Sequence, residues 1–124
     1  MHRIIHVAIY VNDLEMMKDF YTENFSAKAV SKYENESKKF SSYFLSFSSG
    51  PKLELMHNPD VKKDNSIYSG HFAISVGSKK KVDILSEKLK AKNVTVRSEP
   101  RITGDGCYES TILDPEFNIV EITV

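Results

Sequence analysis

Tryptophan is missing from these 124 residues, cysteine occurs once, and no apolar run approaches membrane-spanning length. The lone Cys107 excludes a disulfide within the chain and suits a reducing compartment. The short apolar stretch from Ile4 lacks the hydrophobic length and small-residue cleavage site of a secretion signal, so a cytoplasmic protein with no membrane segment is expected. An excess of either charge is also missing, since seventeen Lys and Arg balance seventeen Asp and Glu. That balance offers no attraction to nucleic acid or to an anionic membrane. The run Lys79-Lys80-Lys81 reads as the solvated face of a helix start. At this length, one domain with a real core is expected.

What is present is a phrase written twice. His6-Val7-Ala8-Ile9-Tyr10-Val11 returns 65 residues later as His71-Phe72-Ala73-Ile74-Ser75-Val76. Leu53-Glu54-Leu55 returns 67 residues later as Val120-Glu121-Ile122. The repeat divides the domain into a first module at 1–57, a polar connector at 58–69 containing Pro59, and a second module at 70–124.

Each module opens with a strand and runs into an amphipathic helix. Leu14, Met17, Tyr21 and Phe25 mark the first helix, with Asn12 or Asp13 as its N-cap. Val82, Leu85 and Leu89 mark the second, with Ser78 as cap and Asn93 as its left-handed end. Strands are expected at 28–33, 40–47 and 52–57, and again at 95–97, 108–113 and 118–124, with turns at Gly50-Pro51 and Asp114-Pro115. The pattern is β-α-β-β-β, twice, an α+β fold.

Side chains alternate across a strand, so parity assigns faces. Val7, Ile9 and Val11 oppose His6, Ala8 and Tyr10, while Phe72, Ile74 and Val76 oppose His71, Ala73 and Ser75. Leu53 and Leu55 oppose Glu54; Val120, Ile122 and Val124 oppose Glu121. The bulky apolar face should carry the helices, and the other should form a ligand cavity. Two carboxylates brought together there need a cation to offset their burial. His6, Glu54, His71 and Glu121 are therefore the candidate metal ligands. Nitrogen and oxygen donors without thiolate suit zinc, nickel, cobalt, manganese or iron, leaving positions open for a substrate oxygen.

With His6, the Val11-Asn12-Asp13-Leu14 helix start, Asp19-Phe20-Tyr21, Leu-Glu-Leu around Glu54, Gly70-His71, Asp114-Pro115 and Val-Glu-Ile around Glu121, the chain resembles the vicinal oxygen chelate superfamily over nearly its full length. Within it, the two-histidine, two-glutamate set looks most like glyoxalase I. The resemblance implies paired β-α-β-β-β modules forming a curved mixed sheet with helices on the convex face. It also implies a homodimer whose metal is often shared between subunits. The implied substrate is a small molecule, a thiohemiacetal of a 2-oxoaldehyde, isomerised through a metal-stabilised enediolate with a glutamate as the mobile base. Glu121 and Glu54 are the candidate catalytic residues, with Glu121 preferred.

The chain also departs from that pattern. Tyr10 stands where glutathione-binding members carry an arginine, although Asn58 matches an asparagine expected after the first glutamate. The sequence ends three residues after Glu121, without the basic segment that the family places near the thiol's carboxylate. Phe117 occupies a turn position usually held by glycine. Tyr10, Asn58 and Arg101 are the expected substrate-binding residues, and the thiol is open. Thiol transferases, dioxygenases and acyl-CoA epimerases on the same scaffold are alternatives, as is a metal-free resistance protein. His57 reads as a partly exposed strand-end histidine, His2 as part of a loose terminal segment, and Cys107 as a small residue entering a strand rather than a nucleophile.

Overall fold

The computed structural model describes residues 1–66 and 70–124, so the last three positions of the expected connector, 67–69, lie outside the described residues. Two compact units result, Met1–Asp64 and Asn65–Val124. Among the described residues there are two helices and nine strands.

In the first unit, β1 (His6–Tyr10) leads into α1 (Leu14–Phe25), followed by β2 (Lys28–Ala29), β3 (Tyr33–Asn35), β4 (Phe40–Ser46) and β5 (Lys52–His57). The sheet order is β1-β5-β4-β2, with β3 also on β4; β1 runs parallel to β5 and the other pairs are antiparallel. Asp13 is the N-cap, its carboxylate accepting the Met16 N–H at 3.0 Å. Leu14, Met17, Phe20 and Tyr21 form the buried side of α1 and close on Leu45, Leu53 and Leu55. The expected strand over 28–33 is instead two short pieces, because β2 and β3 pair with different stretches of β4. Residues after β5 stay bound to this unit. The Asn12 amide donates to the Lys63 carbonyl and accepts the Lys63 N–H, both at 3.0 Å.

The second unit contains β6 (His71–Ser75), α2 (Lys79–Ala91), β7 (Val96–Ile102), β8 (Tyr108–Leu113) and β9 (Ile119–Thr123). Its order is β6-β9-β8-β7, again with the first strand parallel to the last. Ser78 caps α2 through the Lys81 N–H, and Asn93 follows the helix with φ 65°. Val82 and Leu89 bury against Ile112, Val120 and Ile122.

Two expectations need correction. Alternation puts Val7 on the helix-covered face, yet it is 49% exposed, and Val124 is exposed as well. Helix α1 packs on β2, β4 and β5 and leaves β1 largely uncovered, so the chain reaches the core at Val11, the residue after that strand. The strand expected at 95–97 extends to Ile102 and passes through Pro100. It can do so because β7 is an edge strand, where a missing N–H costs no ladder bond. Register shifts between Val96 and Ser98 and between Ser98 and Arg101 break its parity.

Candidate metal centre

The same local geometry is built in each unit. In the first, the parallel β1–β5 register sets Ala8 against Glu54, which brings the His6 imidazole and the Glu54 carboxylate over the same face. Nε2 of His6 lies 3.7 Å from Oε1 of Glu54. Phe44, the β4 partner of Glu54, meets the His6 ring edge-on with centroids 5.2 Å apart. That contact limits the rotation of the imidazole. In the second unit, the β6–β9 register sets Ala73 against Glu121, and Nε2 of His71 lies 2.5 Å from Oε1 of Glu121. An alanine between each pair leaves room for the two long side chains to meet.

Each unit thus brings together one imidazole and one carboxylate. Within either unit, no group of three or more His, Cys, Asp or Glu side chains is arranged to hold a metal ion among the described residues. Each site is half of a typical ligand set.

The expected substrate residues occupy different settings. Tyr10 ends β1 opposite Met56 and is partly exposed. The Asn58 amide is engaged within its own unit, accepting the Asp60 N–H at 2.9 Å and donating to the Lys38 carbonyl at 3.4 Å. His57 holds the end of β1 through its Nδ1, 3.1 Å from the Val11 carbonyl oxygen. Arg101 lies opposite Glu109 across β7–β8, and its Nη1 donates to the Glu109 carbonyl at 3.2 Å. The bulge between Ser98 and Arg101 sets this position, since strict alternation would give Arg101 and Ser98 opposite faces.

Glu109 is a residue that sequence reasoning missed. It pairs with Thr123 while Thr111 pairs with Glu121, so Glu109 and Glu121 are diagonal neighbours on one face. Burial, then a hydrogen bond to the Glu121 side chain and its charge, raise the Glu109 carboxyl above the usual range. The available signal was parity along β8: Ser110 and Ile112 are buried toward α2, which leaves 109 and 111 for the opposite face. Cys107 lies at the start of that strand, in a hairpin held by hydrogen bonds from the Thr103 hydroxyl and the Cys107 N–H to the Asp105 carboxylate. The Asp105 charge, then burial, raise its thiol, the reverse of an activated nucleophile.

The chain is similar to known proteins over nearly its whole length. The chain is 36% identical to the Arabidopsis thaliana protein "Lactoylglutathione lyase GLX1" across 97% of its own length, but spans only 43% of that relative. It is 30% identical to "Probable lactoylglutathione lyase" of Vibrio cholerae, across 98% of this chain and 89% of that protein. The crystal structure of glyoxalase I from Zea mays superposes with a TM-score of 0.82 at 29% identity, covering 98% of this chain and 44% of the maize chain. The family model for the Glyoxalase/Bleomycin resistance protein/Dioxygenase superfamily matches residues 3–122, and the chain belongs to that superfamily.

Proposed function

We propose that this chain is a metal-dependent lyase of the glyoxalase I type, isomerising the thiohemiacetal of a 2-oxoaldehyde to the thioester of a 2-hydroxy acid. The observation that carries this reading is the duplicated pair, His6 with Glu54 and His71 with Glu121, in the same strand register. Two imidazoles and two carboxylates fit a borderline divalent cation such as zinc, nickel, cobalt, manganese or iron. His6, Glu54, His71 and Glu121 would hold it, one pair from each kind of module, whether one subunit or two subunits of a homodimer supply them. When bound, the cation supplies Lewis-acid polarisation of the substrate's adjacent oxygens.

The remaining chemistry belongs to the chain. A carboxylate, for which Glu121 is the choice and Glu54 its counterpart, takes the proton from the carbon bearing sulfur and returns it to the neighbouring carbon. The hydroxyl proton moves from the first oxygen to the second, so atoms balance and no external oxidant enters. Tyr10, Asn58 and Arg101 would line the thiol portion, and the compartment is the cytoplasm, where Cys107 stays reduced.

The test is an isomerisation assay on metal-loaded protein with methylglyoxal and several thiols, followed by thioester absorbance. Metal-dependent turnover that falls at least about a hundredfold in Glu121→Gln supports the reading. Wild-type rates in both Glu121→Gln and Glu54→Gln contradict it.

A further inference from the structure

We propose that Lys28, Ser46 and Lys52 form an anion subsite for a carboxylate or phosphate on the aldehyde-derived end of the substrate. The inference rests on the lyase reading above and adds a substrate class to it: 2-oxoaldehydes with an anionic tail. Strand register builds the row. His6 is paired with Lys52 across β1–β5, and Lys28 with Ser46 across β2–β4. The Leu45–Leu53 pair sets Ser46 and Lys52, the next residue on each strand, side by side. Leu45 and Leu53 are buried against α1, so alternation turns Lys28, Ser46 and Lys52 to the face that carries His6 and Glu54.

Neighbouring strands lie about 4.8 Å apart, so the two lysine backbones stand about 10 Å apart with the serine between them. Their flexible stems let both ammonium groups close on one anion above the Ser46 hydroxyl, which donates a third hydrogen bond. Both lysines are exposed and Ser46 is half-buried. Neither ammonium has an ion-pair partner among the described residues, whereas Lys18, Lys32 and Lys90 are each set against a carboxylate. The Glu54 carboxylate, two residues along β5 from Lys52, lies against His6 instead. At the matching places the second unit has Ile119 opposite His71 and Leu113 opposite Ile119, both apolar. The sequence repeat therefore does not account for the cations. Direction fixes which end of the substrate they meet. Tyr10 and Asn58 lie beyond Glu54 on one side, and the lysine row lies about 7 Å from it on the other. With the thiol portion along Tyr10 and Asn58, the aldehyde-derived tail points to the lysines.

The test uses probes that differ only in the charge of the tail. Calorimetric binding of 2-hydroxyglutarate and 2-hydroxypentanoate is measured on metal-loaded wild type, on the Lys28→Gln, Lys52→Gln double variant and on the Lys28→Arg, Lys52→Arg double variant. Turnover is followed for the glutathione adducts of 4,5-dioxopentanoate and of its methyl ester, and again with glutathione diethyl ester as the thiol. Exposed ion pairs of this kind change affinity by about fivefold. Wild type and the arginine variant are expected to favour the anionic tail at least about fivefold, and the glutamine variant less than about twofold. Equal binding of the two hydroxy acids by wild type, or a preference that survives the glutamine substitutions, overturns the proposal. Lysine-dependent selectivity that follows the charge of the thiol instead of the tail overturns the assignment to the aldehyde-derived end. Charge-selective binding without turnover of any adduct contradicts the lyase reading and leaves the subsite standing. A thermal melt of the glutamine variant matching wild type excludes misfolding as the cause.

Discussion

Nε2 of His71 and Oε1 of Glu121 approach to 2.5 Å because Ala73, two residues after the histidine, pairs in register with the glutamate on the adjacent parallel strand. The first unit repeats this register with Ala8 and Glu54, yet its His6–Glu54 separation is 3.7 Å. Parallel pairing of the first and last strands therefore converts a sequence repeat into a repeated imidazole–carboxylate pair. Replacing Ala73 or Ala8 by leucine should crowd the two side chains. Each variant is expected to lose cation affinity at least about tenfold, read by calorimetry, with little change in secondary structure by circular dichroism.

A second duplicated feature lies on the helix side. The Tyr43 hydroxyl bonds the Glu15 carboxylate at 2.9 Å, and the Tyr108 hydroxyl bonds Asp83 at 2.5 Å. Burial, then Glu15, raise the Tyr43 phenol, while the hydrogen bond to Asp83 is the main cause for Tyr108. A phenol raised in the folded state contributes stability that is complete below its unfolded value, about 10, and lost as pH rises through the folded value. Wild type should thus lose stability above about pH 10 more steeply than the Tyr43→Phe, Tyr108→Phe double variant. Parallel slopes in denaturant titrations at pH 9 and 11 would contradict this.

Buried hydroxyls hold α2 to its sheet. Ser86 donates to the Val82 carbonyl at 2.6 Å, so Ser110 must be the donor in the 2.7 Å contact between the two hydroxyls. Removing Ser86 alone orphans the Ser110 proton in a fully buried site and should cost about 1–3 kcal/mol. The Ser86→Ala, Ser110→Ala double variant should lose less than the sum of the singles, as urea unfolding of the four proteins can measure.

Both helices, their caps and the two histidine–glutamate pairs of the candidate site were legible in the sequence because they depend on short-range patterns. Asp13, Ser78 and Asn93 act through neighbours within one turn, and strand parity alone separates Glu54 from Leu53 and Leu55. The exposure of Val7 was not legible, since it depends on where α1 lies across the sheet. Nor was the face of Arg101, which the register of β7 against β8 decides. Pro100 was a hint that the run was irregular, but it does not specify which residue is inserted.

The turn after β8 shows how an unfavourable residue can be held. Asp114 accepts the N–H groups of Glu116 and Asn118, both at 2.9 Å, and the Asn118 amide at 2.8 Å. Phe117 sits inside this loop at φ 64°, a conformation that costs a side chain with a Cβ about 1–2 kcal/mol. Its ring is mostly exposed, so little packing is lost on removal. Phe117→Gly should raise stability by about 1 kcal/mol, whereas Asp114→Ala should lower it by at least about 2 kcal/mol. Thermal melts of the two variants should move in opposite directions.

The most direct measurement is calorimetric titration of metal-stripped protein with a divalent cation, repeated for His6→Ala and His71→Ala. One cation per chain is predicted, with affinity falling at least about a hundredfold whichever histidine is removed. Independent binding at the two pairs, so that each variant retains a site of wild-type affinity, would contradict a single centre built from both modules.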